Sequence, residues 1–595
     1  MQSAAPAASP VDLKSHLAGL FEAALAEVAP SARGTVVTVE RPKQPTHGDY
    51  ACNLALQVAK PLKRNPREIA TALIGALPSS PWVERMEIAG AGFINVFLRP
   101  NARHAVVRRI LDEGERFGHS SLGAGRKIQI EFVSANPTGP LHVGHGRGAA
   151  YGASLANVLV AAGYVVTREY YTNDAGRQMD ILATSVWLRY LEIAGERVPF
   201  PPNAYQGEYV RAMAAQIVAG HGRKFVHSAA SVMHDVPPLP NAERDDKEAG
   251  AEREAHLDAL IGATKRELGE DYAFIHHFAL TEQLADCRAD LAEFGVTFDH
   301  WFSEQSLFDT GMVERAMEKL AASGHLYEQD GATWFRSTDF GDEKDRVVRR
   351  DNGQFTYFAP DIAYHLNKFE RGYELVIDIW GADHHGYVPR VKGALQALGI
   401  DPARLTVALV QFAILYRNGK KASMSTRAGQ YVTLRELRSE VGKDAARFFY
   451  VLRKSDQHLD FDLDLAKSQS NENPVYYIQY AHARVASVLR EWNGDVAELR
   501  VVSLAALDSP AEIQLLQRLI DYPEALESAA RDLAPHVIAF HLKDLAGDFH
   551  SYYNGTRFLV EDEAVKLARL ALAVAVQQVL KHGLALLGVS APETM

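Results

Sequence analysis

Alternating apolar residues and a long stretch of small residues lie next to each other in the first third of the chain. Ile128, Ile130 and Phe132 alternate with polar residues, as is typical of a pleated strand. The following segment 146–163 is rich in alanine, leucine, valine and glycine, which predicts a closely packed helix. Helix N-termini that follow such strands bind phosphate groups, so the intervening turn is a candidate functional site.

The same patterns divide the chain into four regions. An N-terminal region, 1–118, mixes helical patterns with a strand entered through glycines at 90–98. A core, 119–390, contains strand-like runs and is interrupted at about 199–282 by a polar, helix-rich insertion. A connecting region, 391–465, leads to a helical bundle, 466–595. We predict an α/β fold: a doubly wound, Rossmann-like parallel sheet with an N-terminal α+β domain and a C-terminal all-α bundle.

Composition supports several domains and a reducing compartment. A chain of 595 residues, 47% of them hydrophobic, is too long for one core. Two cysteines are too few for a zinc cluster or a disulfide framework, and no apolar run approaches membrane-spanning length. We expect a cytoplasmic protein without membrane contact. The net charge of −11 argues against an indiscriminate nucleic-acid binder, although local basic stripes remain compatible with a specific nucleic-acid partner.

The turn before the small-residue helix carries His142, Gly144 and His145. If ATP lies across this turn, both imidazoles can donate hydrogen bonds to phosphate oxygens, and Gly144 allows the backbone to approach the purine. The alternative is that these are two ordinary polar turn residues. The flanking sequence decides between the two.

Several flanking segments share one resemblance. The histidine turn with 131–140 (EFVSANPTGP), 168–176 (REYYTNDAG), 299–304 (DHWFSE), 357–364 (YFAPDIAY) and 381–387 (GADHHGY) resembles the class I aminoacyl-tRNA synthetases, and most of all the arginyl-tRNA synthetase family. The resemblance runs from about Gly48 to the C-terminus. It implies an arginine–tRNA ligase that uses ATP and Mg²⁺ to convert L-arginine to arginyl-adenylate and transfers the arginine to tRNA(Arg).

The resemblance also implies an arginine site. Glu131 and Asn136 match positions that hold the α-amino and carboxylate ends of the substrate or adjoining groups; otherwise they are a strand-edge charge and a turn former. A selective pocket for a guanidinium needs a carboxylate that can form a two-point hydrogen bond. Tyr357 and Asp361 occupy the family's guanidinium positions, with Asp361 as the specificity residue and Tyr357 closing one side.

Further residues are expected at the rim of the ATP site. Asp383 and His384 follow a buried strand at 376–380, where the edge of an open α/β sheet faces the ligand. Zinc binding is the alternative, but a fourth ligand is missing from this segment, and we predict no metal site in the protein. Met424 and Ser425 belong to the best match to the second class I motif, Lys-Met-Ser-Lys-Ser.

In that motif, Thr426 stands where the second lysine normally steadies the pyrophosphate. A threonine cannot supply this charge. Lys420, Lys421 and Arg427 flank the loop, but we expect Lys127, at the start of the first core strand, to act as the catalytic substitute. A solvated strand-start lysine is an equally good interpretation of Lys127.

The remaining regions are expected to contact tRNA. In the family, the N-terminal domain touches the corner of the tRNA and the C-terminal bundle binds the anticodon, where Phe549, Tyr552 and Tyr553 would stack on unpaired bases. The alternative is that these helix-spaced aromatics belong to the core of the bundle. The insertion has either a structural or an acceptor-binding role, and we expect a monomer. The rival classes are a synthetase for another amino acid, a small nucleotidyltransferase and a non-catalytic RNA-binding paralogue.

Overall fold

The N-terminal region folds around its own apolar core. The computed structural model describes residues 12–42, 44–241, 246–422 and 432–595. Antiparallel strands in the order β1-β2-β4-β3 pack against helices, with Phe21, Leu54 and Ile94 among the buried side chains. The elements are α1 (Leu13–Val28), β1 (Val39–Glu40), β2 (Tyr50–Cys52), α2 (Leu54–Leu62), α3 (Pro66–Ala76), β3 (Val83–Ala89), β4 (Phe93–Leu98) and α4 (Pro100–Glu113).

The first half of the core is a βαβ unit followed by the helical insertion. Its elements are β5 (Lys127–Glu131), α5 (Val143–Ala161), β6 (Val165–Thr172) and α6 (Arg177–Ile193). The insertion consists of α7 (Glu208–His221), α8 (Ala229–Val232), α9 (Lys247–Leu268) and α10 (Asp271–Glu293). These helices share a core with α6 that contains Trp187, Met213 and Ile275, so the insertion packs as a unit on that helix.

The second half of the core returns to the same sheet. Its elements are β7 (His300–Ser303), α11 (Gln305–Asp309), α12 (Met312–Ala322), β8 (Leu326–Gln329), β9 (Ala332–Phe335), β10 (Arg346–Arg349), α13 (Phe358–Glu370), β11 (Leu375–Gly381), α14 (Val388–Ala397) and β12 (Leu405–Val410). Strands β8 to β10 form a separate antiparallel sheet.

The main sheet has the parallel order β12-β11-β5-β6-β7. The chain therefore winds outward on one side from β5 to β7 and on the other from β11 to β12, which confirms the predicted doubly wound fold. The direction of winding reverses between β5 and β11. In open α/β sheets, ligands bind outside the carboxyl ends of the strands at this reversal.

The connecting region and the bundle complete the chain. Their elements are β13 (Ala413–Arg417), β14 (Lys420–Lys421), α15 (Leu434–Val441), α16 (Lys443–Val451), β15 (Leu459–Asp462), α17 (Leu463–Lys467), α18 (Pro474–Trp492), α19 (Pro510–Arg531), α20 (His536–Gly555) and α21 (Glu563–Leu586). One apolar core joins α5 to this bundle. The side chains of Tyr151 and Asn157 on α5 donate to the carbonyl oxygens of Leu533 (2.8 Å) and Leu586 (3.1 Å).

Across the ranges described here, none of the helices combines the length and the apolar character that crossing a membrane requires.

Helix α5 approaches β5 closely because it has a glycine at the point of contact. A Cβ on Gly152 would lie 2.4 Å from Cγ of Phe132, the residue that follows β5. We expect Gly152→Ala to destabilise the protein by about 1–3 kcal/mol through overpacking, measured as a lower urea midpoint. The control is Gly148→Ala on the same helix, where nothing lies within 4 Å of the added Cβ. Helix propensity should make that variant equally or more stable, and equal losses in both would contradict this explanation.

Candidate active site

A cavity of about 550 Å³ lies at the reversal point of the sheet. The carboxyl ends of β5, β11 and β12 and the N-terminus of α5 contribute its walls. Among the predicted site residues, the cavity is lined by Glu131, Asn136, His142, Gly144, His145, Asp361, Asp383 and His384. Segments separated by more than two hundred positions in the sequence thus meet in one place.

The two histidines cap α5 with their own side chains. Nδ1 of His142 accepts from the backbone N–H of Gly144 (3.0 Å), and Nδ1 of His145 accepts from the N–H of His142 (3.3 Å). Their rings stack with centroids 3.7 Å apart. A Cβ on Gly144 would lie 2.8 Å from the His142 ring, so this arrangement requires glycine.

Both histidines are neutral near pH 7. Burial lowers the pKa of His142, and burial together with the neighbouring His142 lowers the pKa of His145 to about 3. Since each Nδ1 accepts a backbone hydrogen bond, the ring proton of each neutral imidazole resides on Nε2. The turn therefore presents N–H donors of fixed tautomer at a helix N-terminus, an arrangement suited to anionic oxygens.

The loop between β5 and the histidine turn is strained. Val133 and Ser134 have φ angles of +68° and +41°, which cost L-residues about 1–3 kcal/mol each. The Ser134 hydroxyl donates to Oε1 of Glu131 (2.9 Å) and accepts from the N–H of Tyr171 (3.1 Å). The hydroxyl of Tyr170 donates to the Ala135 carbonyl (2.8 Å). Such strain persists where neighbouring groups fix the backbone, as they do here.

Three carboxylates lie in register across neighbouring strands beneath the cavity. Glu131 on β5 is paired with Asp378 on β11 and with Glu169 on β6, and all three are buried. Helix α13 supplies the compensating charges. Lys368, fully buried, bonds to Glu131 (2.5 Å) and Asp378 (2.7 Å), and Arg371 makes two hydrogen bonds to Glu169.

These contacts keep Asp378 and Lys368 in their charged forms. Burial alone would raise the pKa of Asp378, but Lys368 and His365 lower it to about 2. Burial alone would lower the pKa of Lys368, but Asp378 and Glu131 raise it. The fixed charges under the cavity are therefore paired with one another.

Asp361 is different, because in the described part of the chain no lysine or arginine forms an ion pair with it. Its carboxylate accepts a hydrogen bond from the hydroxyl of Tyr387. Burial raises its pKa, and the Tyr387 hydrogen bond only partly opposes this. A half-buried carboxylate at a cavity wall without a cationic partner is expected to bind a cationic ligand.

A second carboxylate strengthens this negative potential. Burial, with the nearby charges of Asp361 and Asp174, raises the pKa of Glu304 to about 7. The amide of Asn173 donates to Glu304 at 2.7 Å, and Asn173 and Tyr171 line the cavity. Asp361 and Glu304 thus repel each other electrostatically until a cation is present.

Two predicted site residues lie elsewhere. Lys127 is exposed at the amino end of β5, whereas the cavity lies beyond the carboxyl end, about 13 Å of strand away. The predicted catalytic role of Lys127 is therefore incompatible with its position. Tyr357 precedes α13, is 73% exposed and does not line the cavity; Tyr387 contacts Asp361 instead. Met424, Ser425 and Thr426 fall in 423–431, outside the described residues.

The aromatic residues predicted to stack on tRNA bases are mostly internal. Phe549 and Tyr552 are 0% and 1% exposed, and the Tyr552 hydroxyl donates to Glu512 (2.9 Å). They form the core of the bundle and have no ring face open to a base, so those two predictions are wrong. Tyr553 is half-buried, with the guanidinium of Arg484 over its ring at 4.7 Å.

Beyond Asp361, helix α13 and its C-cap carry site residues that were not predicted from the sequence. Asp361, Tyr364, His365, Lys368 and Arg371 follow one another at helical spacing, which places a polar stripe on an otherwise buried helix. That stripe was the available signal. The role of Tyr387 had no comparable signal, because it depends on how α13 and the segment after β11 meet.

No group of three or more histidine, cysteine or acidic side chains is arranged to hold a metal ion in the ranges that the structure describes. Asp383 and His384 are both largely exposed at the cavity rim, with side-chain exposures of 60% and 62%.

Comparison with known families accounts for most of the chain. Residues 15–98 match the arginyl tRNA synthetase N-terminal domain, and 478–595 match the DALR anticodon binding domain. Residues 106–199 and 269–462 match the catalytic domain of class I tRNA synthetases (R). The matches to the catalytic domain leave a gap between 199 and 269 that falls within the helical insertion.

Individual relatives and solved structures agree. The chain is 66% identical to an arginine–tRNA ligase of Azoarcus sp. strain BH72 over 98% of this chain and 100% of that protein. It is 64% identical to an arginine–tRNA ligase of Nitrosospira multiformis over 98% of this chain and 99% of that protein. It is similar to the crystal structure of a putative arginyl tRNA synthetase from Campylobacter jejuni, with a TM-score of 0.72 and 32% sequence identity. The match covers 83% of this chain and 99% of that chain. The Thermus thermophilus arginyl-tRNA synthetase shares the fold, with a TM-score of 0.72 at 24% sequence identity. The match covers 98% of this chain and 100% of that chain.

The low pKa of His145 can be tested directly. In NMR titrations of ¹⁵N-histidine-labelled protein, assigned with His145→Asn, we expect His145 to remain neutral from pH 8 to pH 5, since its pKa is about 3. Because this value lies below the pKa of about 6.5 in the unfolded chain, its stabilising contribution is present above pH 6.5 and is lost as the pH falls. Protonation of His145 between pH 6 and 7 would contradict the described burial.

Proposed function

The chain belongs to the arginyl-tRNA synthetase family, and from this premise we propose that the cavity binds ATP and L-arginine together and catalyses the formation of arginyl-adenylate. The carboxylate oxygen of arginine attacks the α-phosphorus of ATP, and the bond to the β-phosphate oxygen breaks to release pyrophosphate. The terminal ribose hydroxyl of tRNA(Arg) then attacks the arginyl carbonyl and displaces AMP. Both steps depend on positioning and charge stabilisation and require no side-chain nucleophile.

The observation that supports arginine as substrate is the charge balance around Asp361. The acids beneath the cavity are paired with Lys368 and Arg371, whereas Asp361 lines the cavity and Glu304 contacts the lining residue Asn173, both without such partners among the described residues. A guanidinium would neutralise both and could form a two-point hydrogen bond with Asp361. Glu131 and Asn136 then hold the α-amino and carboxylate end, next to the histidine turn.

ATP occupies the other half of the cavity in this proposal. The Nε2–H groups of His142 and His145 donate to phosphate oxygens, and the purine lies against Gly144 and Phe412, which is 49% exposed beside that glycine. Asp383 and His384 contact the ribose from the rim. When bound together with ATP, Mg²⁺ would supply neutralisation of phosphate charge.

We propose that tRNA(Arg) contacts the bundle and the N-terminal domain, whose matching families include an anticodon binding domain. Of the predicted aromatic contacts, only Tyr553 retains an accessible edge. We further propose that the enzyme acts as a monomer in the cytoplasm; Cys52 and Cys287, both unpaired and buried, fit a reducing compartment.

The proposed role of Asp361 gives a first kinetic prediction. We expect Asp361→Asn to lower kcat/KM for arginine in ATP–pyrophosphate exchange with tRNA present by at least about thirtyfold, because the buried guanidinium loses its charged partner. The exposed Asp309→Asn is the matched control and should retain wild-type exchange. Exchange supported equally by another amino acid, or an unaffected Asp361→Asn variant, would refute arginine as the substrate.

The cation that replaces the missing second lysine of the Lys-Met-Ser-Lys-Ser motif gives a second kinetic prediction. We propose that Lys421, next to the motif loop, contributes it rather than Lys127. Lys421→Ala should reduce the exchange rate, with a higher KM for pyrophosphate, whereas Lys127→Ala should leave both unchanged because it lies at the opposite edge of the sheet. The reverse pattern would restore Lys127 as the catalytic cation.

A further inference from the structure

The helical insertion touches the active-site loop through one side chain. The hydroxyl of Tyr209, in the first turn of α7, donates to the carbonyl oxygen of Thr138 (2.5 Å). The Tyr209 ring packs against Gly139, where an added Cβ would lie 3.1 Å from the hydroxyl oxygen. Tyr205 also lies beside Thr138. Burial raises the pKa of Tyr205, and a hydrogen bond with the Thr138 side chain partly opposes this rise.

The loop that Tyr209 contacts has no regular structure of its own. It runs from the strained Val133 and Ser134 to His142 and carries Asn136 in between. Its backbone is fixed by side chains: Tyr170 holds the Ala135 carbonyl from the sheet, and Tyr209 holds the Thr138 carbonyl from the insertion. Between Thr138 and the His142 cap, only three residues of chain remain. A shift at Thr138 is therefore passed directly to the histidine turn.

The insertion is itself anchored at a second point. Helix α10 forms ion pairs with α15, the helix that follows the second motif: Asp286 with Arg435 (2.7 Å) and Asp290 with Arg438 (2.6 Å). Asp290 is 1% exposed, so the Arg438 pair is shielded from water. Residues just before α15 bond to the histidine turn, with the Val143 N–H donating to the Val432 carbonyl (3.1 Å). Tyr209 is thus presented to the loop by a body that is anchored, through α15, to the segment bonded to the histidine turn.

We propose that Tyr209 is a positioning residue for adenylate formation: its hydroxyl holds the loop 133–141 so that the histidine turn meets the phosphates of ATP. This inference rests on the proposed function of the cavity. It gives the insertion a role in the first reaction step, independent of any contact with tRNA. The guanidinium end of the site, which supplies the charge for arginine binding, does not depend on Tyr209, because Asp361 is carried by α13.

The test is Tyr209→Phe, which removes the hydroxyl and retains the ring against Gly139. In ATP–pyrophosphate exchange with tRNA present, kcat/KM for ATP should fall about two- to tenfold, the value of one hydrogen bond, while KM for arginine stays within twofold of wild type. If Tyr209 had only a structural role, the variant would have a lower thermal midpoint, and the selective loss in kcat/KM for ATP would not be seen.

The matched control is Tyr190→Phe. The Tyr190 hydroxyl donates to the Gly222 carbonyl (2.7 Å) inside the insertion and accepts from the Phe225 N–H (3.1 Å), without contact to the loop. This variant should lower the thermal midpoint and retain wild-type kcat/KM for ATP. Unchanged ATP kinetics in Tyr209→Phe, or an equal loss in Tyr190→Phe, would overturn the role of Tyr209. Absence of arginine-dependent exchange in the wild-type protein would instead overturn the proposed function.

Discussion

The buried charge row beneath the cavity is the constraint on which the site depends. Glu169, Glu131 and Asp378 lie side by side in register on three adjacent strands, where like charges in such proximity would repel strongly in a low-dielectric interior. Lys368 and Arg371 make this arrangement stable. Removing one partner of such a buried pair typically costs about 3–5 kcal/mol, because the remaining charge is left without compensation. The position of α13 over the sheet is therefore fixed by charge as well as by apolar packing.

This fixed position sets the electrostatic potential of the cavity wall. Seven residues before Lys368 on the same helix, Asp361 reaches the cavity wall, and the Tyr387 hydroxyl orients its carboxylate. Since Lys368 is occupied by Glu131 and Asp378, it cannot also neutralise Asp361 by direct contact. The negative potential left at Asp361 and Glu304 thus follows from the pairing below them. An apolar or acidic amino acid would not compensate this negative potential, which is the physical basis on which the proposed site would favour a cationic side chain.

The sequence predicted those features that depend on local pattern. The strand at 127–131, the small-residue helix α5 and the histidine turn are local, and they were recovered together with the doubly wound order of the sheet. The errors concern relations between distant elements. Lys127 is close to Glu131 in sequence, but an extended strand carries the two side chains to opposite edges of the sheet. Phe549 and Tyr552 show helical spacing, which does not distinguish a core face from an exposed one until the neighbouring helices are placed.

The electrostatics of the histidine turn limit what it can contribute to the reaction. With Thr426 in place of the usual lysine, a protonated imidazole would be an attractive substitute cation. Burial and the stacked neighbour exclude this, because they lower the pKa of His145 to about 3 and leave a neutral N–H donor. A neutral donor stabilises developing charge on a phosphate oxygen, but it does not replace a unit charge on the leaving pyrophosphate. The second cation must therefore come from outside the histidine turn.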